Sequence, residues 1–293
     1  MVGMIVDVHP HVISPDTERY PPSPLFGIRS DWSKNRTARI EDLLAEMDRA
    51  GVHKAAIVHA STVYGFDNSL VVDSAQQSSG RCVAVGSIDM LAPDAVDCAK
   101  RWIERGVVCL RIFTGGSTKA VDASSLDDPG AYPVWSLMAE LGLSMCINTN
   151  ASGIPAIMSL ARRFPQVPVL VDHFAQADVS GGAPFSAAGP LFGMAAIANI
   201  YLKLTPAVPA AIQKSQADGR AFLKKVVAEF GANRIAWGSD WPSSSGTMGE
   251  NLAVAKDLIA DLAEADRNLI LGGTALSVYA GLNGAYDDLI RFV

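Results

Sequence analysis

The stretch Met4-Ile5-Val6-Asp7-Val8-His9-Pro10-His11 decides the fold, because it joins an apolar strand to two histidines at the carboxyl end of that strand. Side chains alternate between the two faces of a strand, so His9 and His11 point to the same side. Two imidazoles in that arrangement can share one divalent metal ion. A solvated pair of histidines fits this stretch equally well, so the rest of the chain must decide between the two interpretations.

The ends of two later strands carry further side chains of the kind that bind divalent metals. Asp172-His173 follows the apolar run 167–171, and Gly238-Ser239-Asp240-Trp241-Pro242 follows the run 234–237. Three imidazole nitrogens and one carboxylate suit zinc and leave room for a water molecule. Asp172 alternates away from His173 and is expected to support the fold rather than bind metal. The sequence therefore predicts one divalent ion, with zinc as the best match, held by His9, His11, His173 and Asp240.

Apolar, β-branched runs recur along the chain with helical segments between them. Strands are predicted at 4–8, 54–59, 81–88, 107–112, 143–147, 167–171, 197–204 and 234–237. Strands that alternate with helices pair in parallel, and near-continuous apolar runs suit a sheet covered on both faces. Eight such units predict an α/β fold, a (β/α)8 or TIM barrel, with residues 1–293 as a single domain. The alternative is an open doubly wound sheet, which the lack of a glycine-rich phosphate turn disfavours.

The segments between the predicted strands have helical periodicity. In the first helix, Ile40, Leu43, Leu44 and Met47 keep helical spacing, and Gly51 follows as a cap. The segment 12–36 before that helix is long, polar and proline-rich, so it is expected to form a lid or wall of the site, or else a dimer contact. The helices are predicted at 37–50, 67–79, 93–105, 132–141, 155–164, 210–230, 251–263 and 266–275.

The composition narrows the classes of partner. A formal net charge of −6 over 293 residues favours neither nucleic acid nor an anionic membrane. The four cysteines form no CxxC pair, which predicts free thiols and a cytoplasmic protein. No signal peptide and no apolar run of 18 residues is found, so no membrane span is expected. The expected partner is a small molecule, and a homo-oligomer stays open.

A barrel would bring several scattered polar residues to one mouth, because barrel enzymes hold their sites at the carboxyl ends of the strands. His59 ends the second strand and Asn148 the fifth, and both are predicted to contact substrate. For His59 the roles are an oxyanion contact in catalysis or a satisfied histidine at the barrel mouth. Tyr64 and Asn68 lie in the loop beyond His59 and could donate hydrogen bonds to substrate oxygens.

Two cations and one carboxylate complete the predicted site. Arg111, late in the fourth strand, can hold a carboxylate or sulfonate with two parallel hydrogen bonds, or form an interior salt bridge. Lys203 lies in an apolar strand, where a lysine needs a partner, so it binds a substrate anion or forms a structural ion pair. Asp240 is predicted to take a proton from the attacking water and return it to the leaving oxygen, with a helix N-cap as the alternative role.

These residues resemble the amidohydrolase superfamily, in order and over essentially the whole chain. The most specific match is the stretch 234–242, whose Trp-Gly-Ser-Asp-Trp-Pro sequence is similar to lactonases of aromatic and sugar-acid breakdown more than to the related decarboxylases. That branch includes hydrolases of pyrone dicarboxylates and sulfomuconolactones. The other matching stretches are 7–11, 64–68, 106–112, 171–173 and 203–204.

The resemblance implies a hydrolase that opens a lactone bearing one or two acidic groups, in aromatic-compound breakdown. Asn148 departs from the lysine or glutamate that bridges two metals in some members, so one metal is expected. Gln176 and Ser243 stand where members with several acidic groups on their substrates tend to have arginine and histidine, so the substrate differs from theirs. Pyrone-dicarboxylate lactonases are regarded as working without metal, so a metal-free mechanism stays open.

Two other functions stay open at this point. A metal-dependent non-oxidative decarboxylase of an aromatic or muconate-type acid could use the same scaffold, and it would release carbon dioxide where a lactonase releases only acid. A barrel reused for binding or assembly is disfavoured, because the whole set of polar strand-end residues is kept.

Overall fold

The eight predicted strands form one parallel sheet in which spatial order follows chain order. The structure is a computed structural model that describes residues 3–114 and 122–283. Every neighbouring pair from the first strand to the eighth is parallel, which confirms the predicted βα repeat. The strands are β1 (Val6–Asp7), β2 (Lys54–Val58), β3 (Cys82–Gly86), β4 (Val107–Phe113), β5 (Ser144–Asn148), β6 (Val169–Val171), β7 (Ile200–Leu204) and β8 (Ile235–Trp237).

The sheet curls so that its last strand returns to its first, which confirms the barrel and rules out the open sheet. The backbone N–H of Val8 donates to the carbonyl oxygen of Trp237 across the seam, with the two atoms 3.1 Å apart. Gly238 lies against β1 so closely that a Cβ on it would be 2.6 Å from the Cβ of His9. The seam between β1 and β8 therefore needs glycine at position 238.

Helices cover the outside of the barrel, and nearly all strand residues are buried on both faces. None of the helices within residues 3–114 and 122–283 has the length and apolar composition to cross a membrane. The helices are α1 (Asp31–Lys34), α2 (Ile40–Ala50), α3 (Ser61–Tyr64), α4 (Ser69–Gln77), α5 (Ala95–Glu104), α6 (Tyr132–Glu140), α7 (Ile154–Arg163), α8 (Gly189–Gly193), α9 (Ala207–Lys214), α10 (Gly219–Phe230), α11 (Met248–Leu258), α12 (Glu264–Asn268) and α13 (Thr274–Val278).

Two predicted helices differ from the structure, one by a break and the other by a π-helical turn within continuous helix. The segment 210–230 breaks between α9 and α10, where Gln216 has a φ of +51° and the Asp218 side chain caps α10 by accepting the N–H of Ala221 at 3.0 Å. The segment 266–275 contains a π-helical turn, Leu269–Gly273, between α12 and α13. Gly272 of that turn packs directly on β1, because a Cβ there would collide with the carbonyl oxygen of Met4.

The segment 12–36 is more ordered than its composition suggests. Ile13 pairs with Ala38 in an antiparallel bridge at its base, and α1 lies inside it. Ser30, before α1, is buried and its hydroxyl lies 2.8 Å from that of Thr62. The segment is thereby held against the loop after β2, at the carboxyl end of the barrel.

Candidate active site

A cavity of about 290 Å³ opens at the carboxyl ends of the strands. Parallel strands start at one end of a barrel and finish at the other, so side chains that follow different strands meet there. The segment 12–36 contributes Trp32 to this cavity, with its ring 5.5 Å from that of His11. That contact fits the predicted role of the segment as a wall of the site. The predicted residues that line the cavity are His9, His11, Arg111, Asn148, His173 and Asp240.

The three strand-end histidines and Asp240 converge as predicted. Nε2 of His11 lies 3.3 Å from Oδ1 of Asp240, and Nε2 of His9 lies 3.8 Å from the same oxygen. The ring of His9 is 5.1 Å from that of His11 and 4.9 Å from that of His173. Ligand atoms of His9, His11 and Asp240 all lie within 4.8 Å of one another, a spacing that could hold a metal ion.

The Nε2 atoms of His9 and His11 both face Oδ1 of Asp240, while the Nδ1 atom of His9 lies 3.3 Å from Nζ of Lys203. Nδ1 of His11 lies 2.8 Å from the carbonyl oxygen of Val58, which can only accept, so that nitrogen carries the hydrogen. Nε2 then faces the Asp240 carboxylate at 3.3 Å, a distance at which a cation or a proton belongs between the two atoms. Nε2 of His9 is buried and has no hydrogen-bond partner among the described residues. The Nε2 atoms of His9 and His11 and the Asp240 oxygen suit a divalent ion, which would bind all three atoms.

Burial sets the protonation state of the site. It lowers the pKa of His9 well below the ordinary value, and it also lowers the pKa of His173, although nearby carboxylates oppose it there. Burial raises the pKa of Asp240, but His11, His173 and Ser244 outweigh it and leave that pKa below the usual value. At neutral pH His9 and His173 are therefore neutral imidazoles and Asp240 is an ionised carboxylate, the forms that bind metal.

Asp172 lies beneath the histidines, between two buried cations. Its Oδ1 is 3.0 Å from Nζ of Lys203 and 3.6 Å from Nδ1 of His9, and its Oδ2 accepts the Nε–H of Arg111 at 2.8 Å. Burial raises the pKa of Asp172, but Lys203, His9 and Arg111 outweigh it and leave the group ionised. Its position matches the expected supporting role.

The two cations shared by Asp172 differ in their access to substrate. Lys203 is fully buried and is absent from the cavity wall, so its ammonium acts as the structural ion pair that was the alternative to anion binding. Arg111 forms the interior salt bridge and also lines the cavity, so both of its predicted roles are open to it. The packing of the strands that lead to Arg111, Asp172 and Lys203 decides which of the two cations can reach a substrate.

Three predicted substrate contacts from the second strand and its loop lie behind the cavity wall. His59 is buried, with Nε2 2.9 Å from the carbonyl oxygen of Gly65, and burial lowers its pKa to about 4. The Tyr64 hydroxyl accepts the N–H of Ser14 at 3.0 Å. The Asn68 amide accepts the N–H of Ser87 at 2.7 Å and donates to the carbonyl oxygen of Ser87 at 2.9 Å. Because their polar atoms bind backbone groups, these side chains shape loops here and do not line the cavity.

Sequence reasoning missed Asp7, which holds the two sides of the site together. Its Oδ1 accepts the N–H of His9 at 2.9 Å and the N–H of Ser239 at 2.8 Å, so it ties β1 to the loop after β8. Burial raises its pKa to about 6. The available signal was a carboxylate in an apolar strand two residues before a histidine, where a buried acid needs partners.

The backbone at the site is strained in two places. The four residues from His173 to Gln176 all have φ between +51° and +56°, and Asp240 has a φ of +51°. None of them is glycine, so each such residue costs roughly 1 kcal/mol or more. Strain of this kind collects at functional sites, where surrounding structure maintains it. Here it aims His173 and Asp240 into the cavity.

Comparisons with known proteins agree with the resemblance seen in the sequence. The chain is 26% identical over 243 residues to an L-fucono-1,5-lactonase of Burkholderia ambifaria, covering 82% of this chain and 80% of that protein. It is 26% identical over 245 residues to a 4-sulfomuconolactone hydrolase of Hydrogenophaga intermedia, covering 81% and 74%.

A solved structure shares the fold of this chain, and a sequence profile assigns its family. An amidohydrolase of Burkholderia multivorans, solved with bound zinc, shares the fold with a TM-score of 0.75 at 18% identity, over 94% of this chain and 99% of that one. The profile of the amidohydrolase family matches residues 6–281, which is nearly the whole chain. This protein therefore belongs to the amidohydrolase family.

Proposed function

We propose that this protein is a lactonase, a carboxylic ester hydrolase that opens a lactone ring by attack of water on the ring carbonyl. The observation that carries the proposal is the ionised Asp240 among three strand-end histidines on one cavity wall. The two curated relatives, which hydrolyse lactones by their names, support the choice of bond.

The metal, if bound, is assigned to His9, His11, His173 and Asp240. Imidazole and carboxylate ligands in that number favour zinc, and the related Burkholderia multivorans structure holds zinc. A divalent ion at this place would supply Lewis acidity, which polarises a carbonyl and makes water more acidic. Protein purified without chelator should contain close to one equivalent by elemental analysis. A content near zero, with activity unaffected by chelator, would instead support the metal-free mechanism.

Asp240 is the proposed general base and then the general acid. Its Oδ2 accepts the hydroxyl of Ser244 at 2.6 Å, which leaves Oδ1 on the side of the histidines. The carboxylate takes a proton from the attacking water and returns it to the ring oxygen as the carbonyl–oxygen bond breaks. A positioned acid–base group of this kind contributes roughly 10²–10⁴-fold to the rate.

Arg111 is the proposed contact for an acidic group on the substrate. Asp172 holds Nε of Arg111 at 2.8 Å, so the plane of the guanidinium is fixed where its side chain lines the cavity. A carboxylate or sulfonate is the chemistry that a fixed guanidinium recognises best.

We also place the protein in the cytoplasm and in the breakdown of aromatic compounds. The free state of Cys82, Cys98, Cys109 and Cys146 agrees with a reducing compartment.

The test is a substrate panel with two detectors. Purified protein is given sugar-acid 1,5-lactones, muconolactones and their neutral analogues under pH-stat titration, and dihydroxybenzoates under detection of carbon dioxide. Acid release from an acidic lactone, with no carbon dioxide, is the expected result. Carbon dioxide from the benzoates would favour the decarboxylase instead. No turnover in either panel by metal-loaded protein would favour the binding or assembly role.

A further inference from the structure

A second cavity, of about 130 Å³, lies at the same end of the barrel, beside the loops that follow β3 and β4. Its walls are mainly apolar, and three of the six exposed large hydrophobic residues among the described part of the chain lie on them. These are Phe26, Phe66 and Leu91, which are 39%, 37% and 50% exposed. Exposed apolar side chains gathered around one concavity are typical of a ligand site.

The two cavities share one lining residue among the described part of the chain. Phe113, the last residue of β4, lines both cavities. Its ring centroid lies 5.3 Å from Cζ of Arg111, so the cation that faces the catalytic cavity packs on the ring that borders the second cavity. A ligand held at Arg111 therefore has an apolar recess immediately beyond it.

We propose that this recess, here called the side cavity, binds an apolar substituent on the lactone ring. The inference rests on the proposed lactonase function and adds the class of substrate: a lactone that carries a phenyl-sized or short alkyl group as well as its acidic group. The one charged residue among the described side-cavity walls is Asp89, which is exposed. A carboxylate there would repel an anionic substituent and tolerate a neutral one.

The size of the side cavity argues for a small apolar group over a protein partner. An engineered apolar cavity of about 150 Å³ takes benzene, so about 130 Å³ matches one ring or a short chain. A stable protein interface needs roughly 800 Å² from each partner, far more than a recess of this volume presents. The occupant is therefore a small apolar group, and the shared Phe113 wall beside Arg111 assigns that group to a molecule held in the catalytic cavity.

The experiment compares two lactones that share ring and acidic group and differ only in a phenyl substituent. For the unaltered protein, kcat/KM should favour the phenyl lactone by roughly tenfold or more, because the group leaves water for an apolar recess. Leu91→Asp, which puts a charge on the rim of the side cavity, should bring this ratio close to one. The control is Met4→Asp, which puts the same charge on a hydrophobic residue that is 42% exposed, before β1 at the opposite end of the barrel, and should leave the ratio unchanged.

A second measurement separates failure of the side cavity from failure of the proposed function. The ring-opened hydroxy acids of both lactones are titrated calorimetrically, so that binding is measured without turnover. Tighter binding of the phenyl acid, with loss of that preference in Leu91→Asp, supports the side cavity even if neither lactone is hydrolysed. The lack of hydrolysis would then overturn only the lactonase proposal. Equal affinity for both acids, or a kcat/KM ratio near one in the unaltered protein, overturns the side cavity. So does a Leu91→Asp variant that turns a dimer into a monomer in sedimentation while keeping the phenyl preference, which assigns the patch to a second copy.

Discussion

Asp240 combines three features that are uncommon in one residue: a left-handed backbone, burial and a depressed pKa. Ser244 fixes one of its oxygens, and His11 lies beside the other. At the residue scale, these two contacts fix the orientation of the Asp240 carboxylate. In the proposed reaction a carboxylate fixed in this way would accept a proton without rearrangement.

Replacement of Asp240 by asparagine tests its role as the base. Asp240→Asn keeps the size of the side chain but cannot accept a proton at neutral pH, so kcat should fall by roughly a hundredfold or more. Asn233→Asp, an exposed change of similar size in the turn before β8, is the control and should leave kcat unchanged. The metal content of each sample is measured alongside. Normal metal with near-normal kcat in Asp240→Asn would reject the assignment.

Arg111 calls for a variant that separates its two roles. Arg111→Met should raise KM for an acidic lactone by roughly tenfold or more, and much less for a neutral analogue, because the charge-assisted contact disappears while the reacting centre remains. Lys203 stays in place to neutralise Asp172, which limits the damage to folding. The control is Arg101→Met, which removes an exposed ion pair between Arg101 of α5 and Asp94. Equal losses on both substrates would show that Arg111 serves only the salt bridge.

At the scale of elements, the seam between β1 and β8 controls the site. Gly238→Ala should lower the free energy of unfolding by about 1–3 kcal/mol and weaken metal binding, because the new methyl group would press on His9. Gly249→Ala is the matched control, since its Cβ has room and lies in α11, where alanine favours the helix. Thermal melts and metal titrations of the two variants measure the difference. Equal stability of both variants would contradict this account of the seam.

The sequence was enough to predict the elements whose signal is local. Eight apolar runs gave the strands, and the rule that strand ends meet in a barrel brought His9, His173 and Asp240 together. The break in 210–230 coincides with the polar or small residues 213–220 and with Asp218, which caps the next helix. Such a cap is a local signal, but a short polar stretch inside a long helical segment also fits the exposed face of one continuous helix.

The orientation of charged and loop side chains could not be predicted from the sequence. Arg111 and Lys203 share Asp172 because β4, β6 and β7 bring them within 3 Å of its two oxygens, which is a matter of register across the sheet. Asn68 was predicted to meet substrate, yet its amide binds the backbone of Ser87. Strand ends fix positions, but packing decides which polar groups are satisfied internally and which remain for a ligand.

At the scale of the whole molecule, buried neutral histidines make stability depend on pH. Burial lowers the folded-state pKa of His59 to about 4, whereas an exposed histidine in the unfolded chain titrates near 6.5. Between these values the unfolded chain binds a proton that the folded one refuses. The free energy of unfolding should thus fall as pH drops from 6.5 to 4, by up to about 1.4 kcal/mol per pH unit for such a group.

Denaturant titrations between pH 4 and 7 measure this slope. His59→Gln keeps a hydrogen-bond donor for Gly65 but cannot be protonated, so the fall in stability with acid should be shallower than in the unaltered protein. His9 and His173 are also shifted downward, so a residual slope is expected. A variant whose slope equals that of the unaltered protein would show that His59 takes its proton without loss of the fold.

The seam between β1 and β8 also sets an order of events during biosynthesis. About 230 residues separate His9 from Asp240, so the first histidines leave the ribosome long before their partner carboxylate exists. At usual rates of translation that interval lasts roughly 10 to 50 s. Throughout it the nascent chain exposes histidines that can capture metal and a first strand with no eighth strand to pair with.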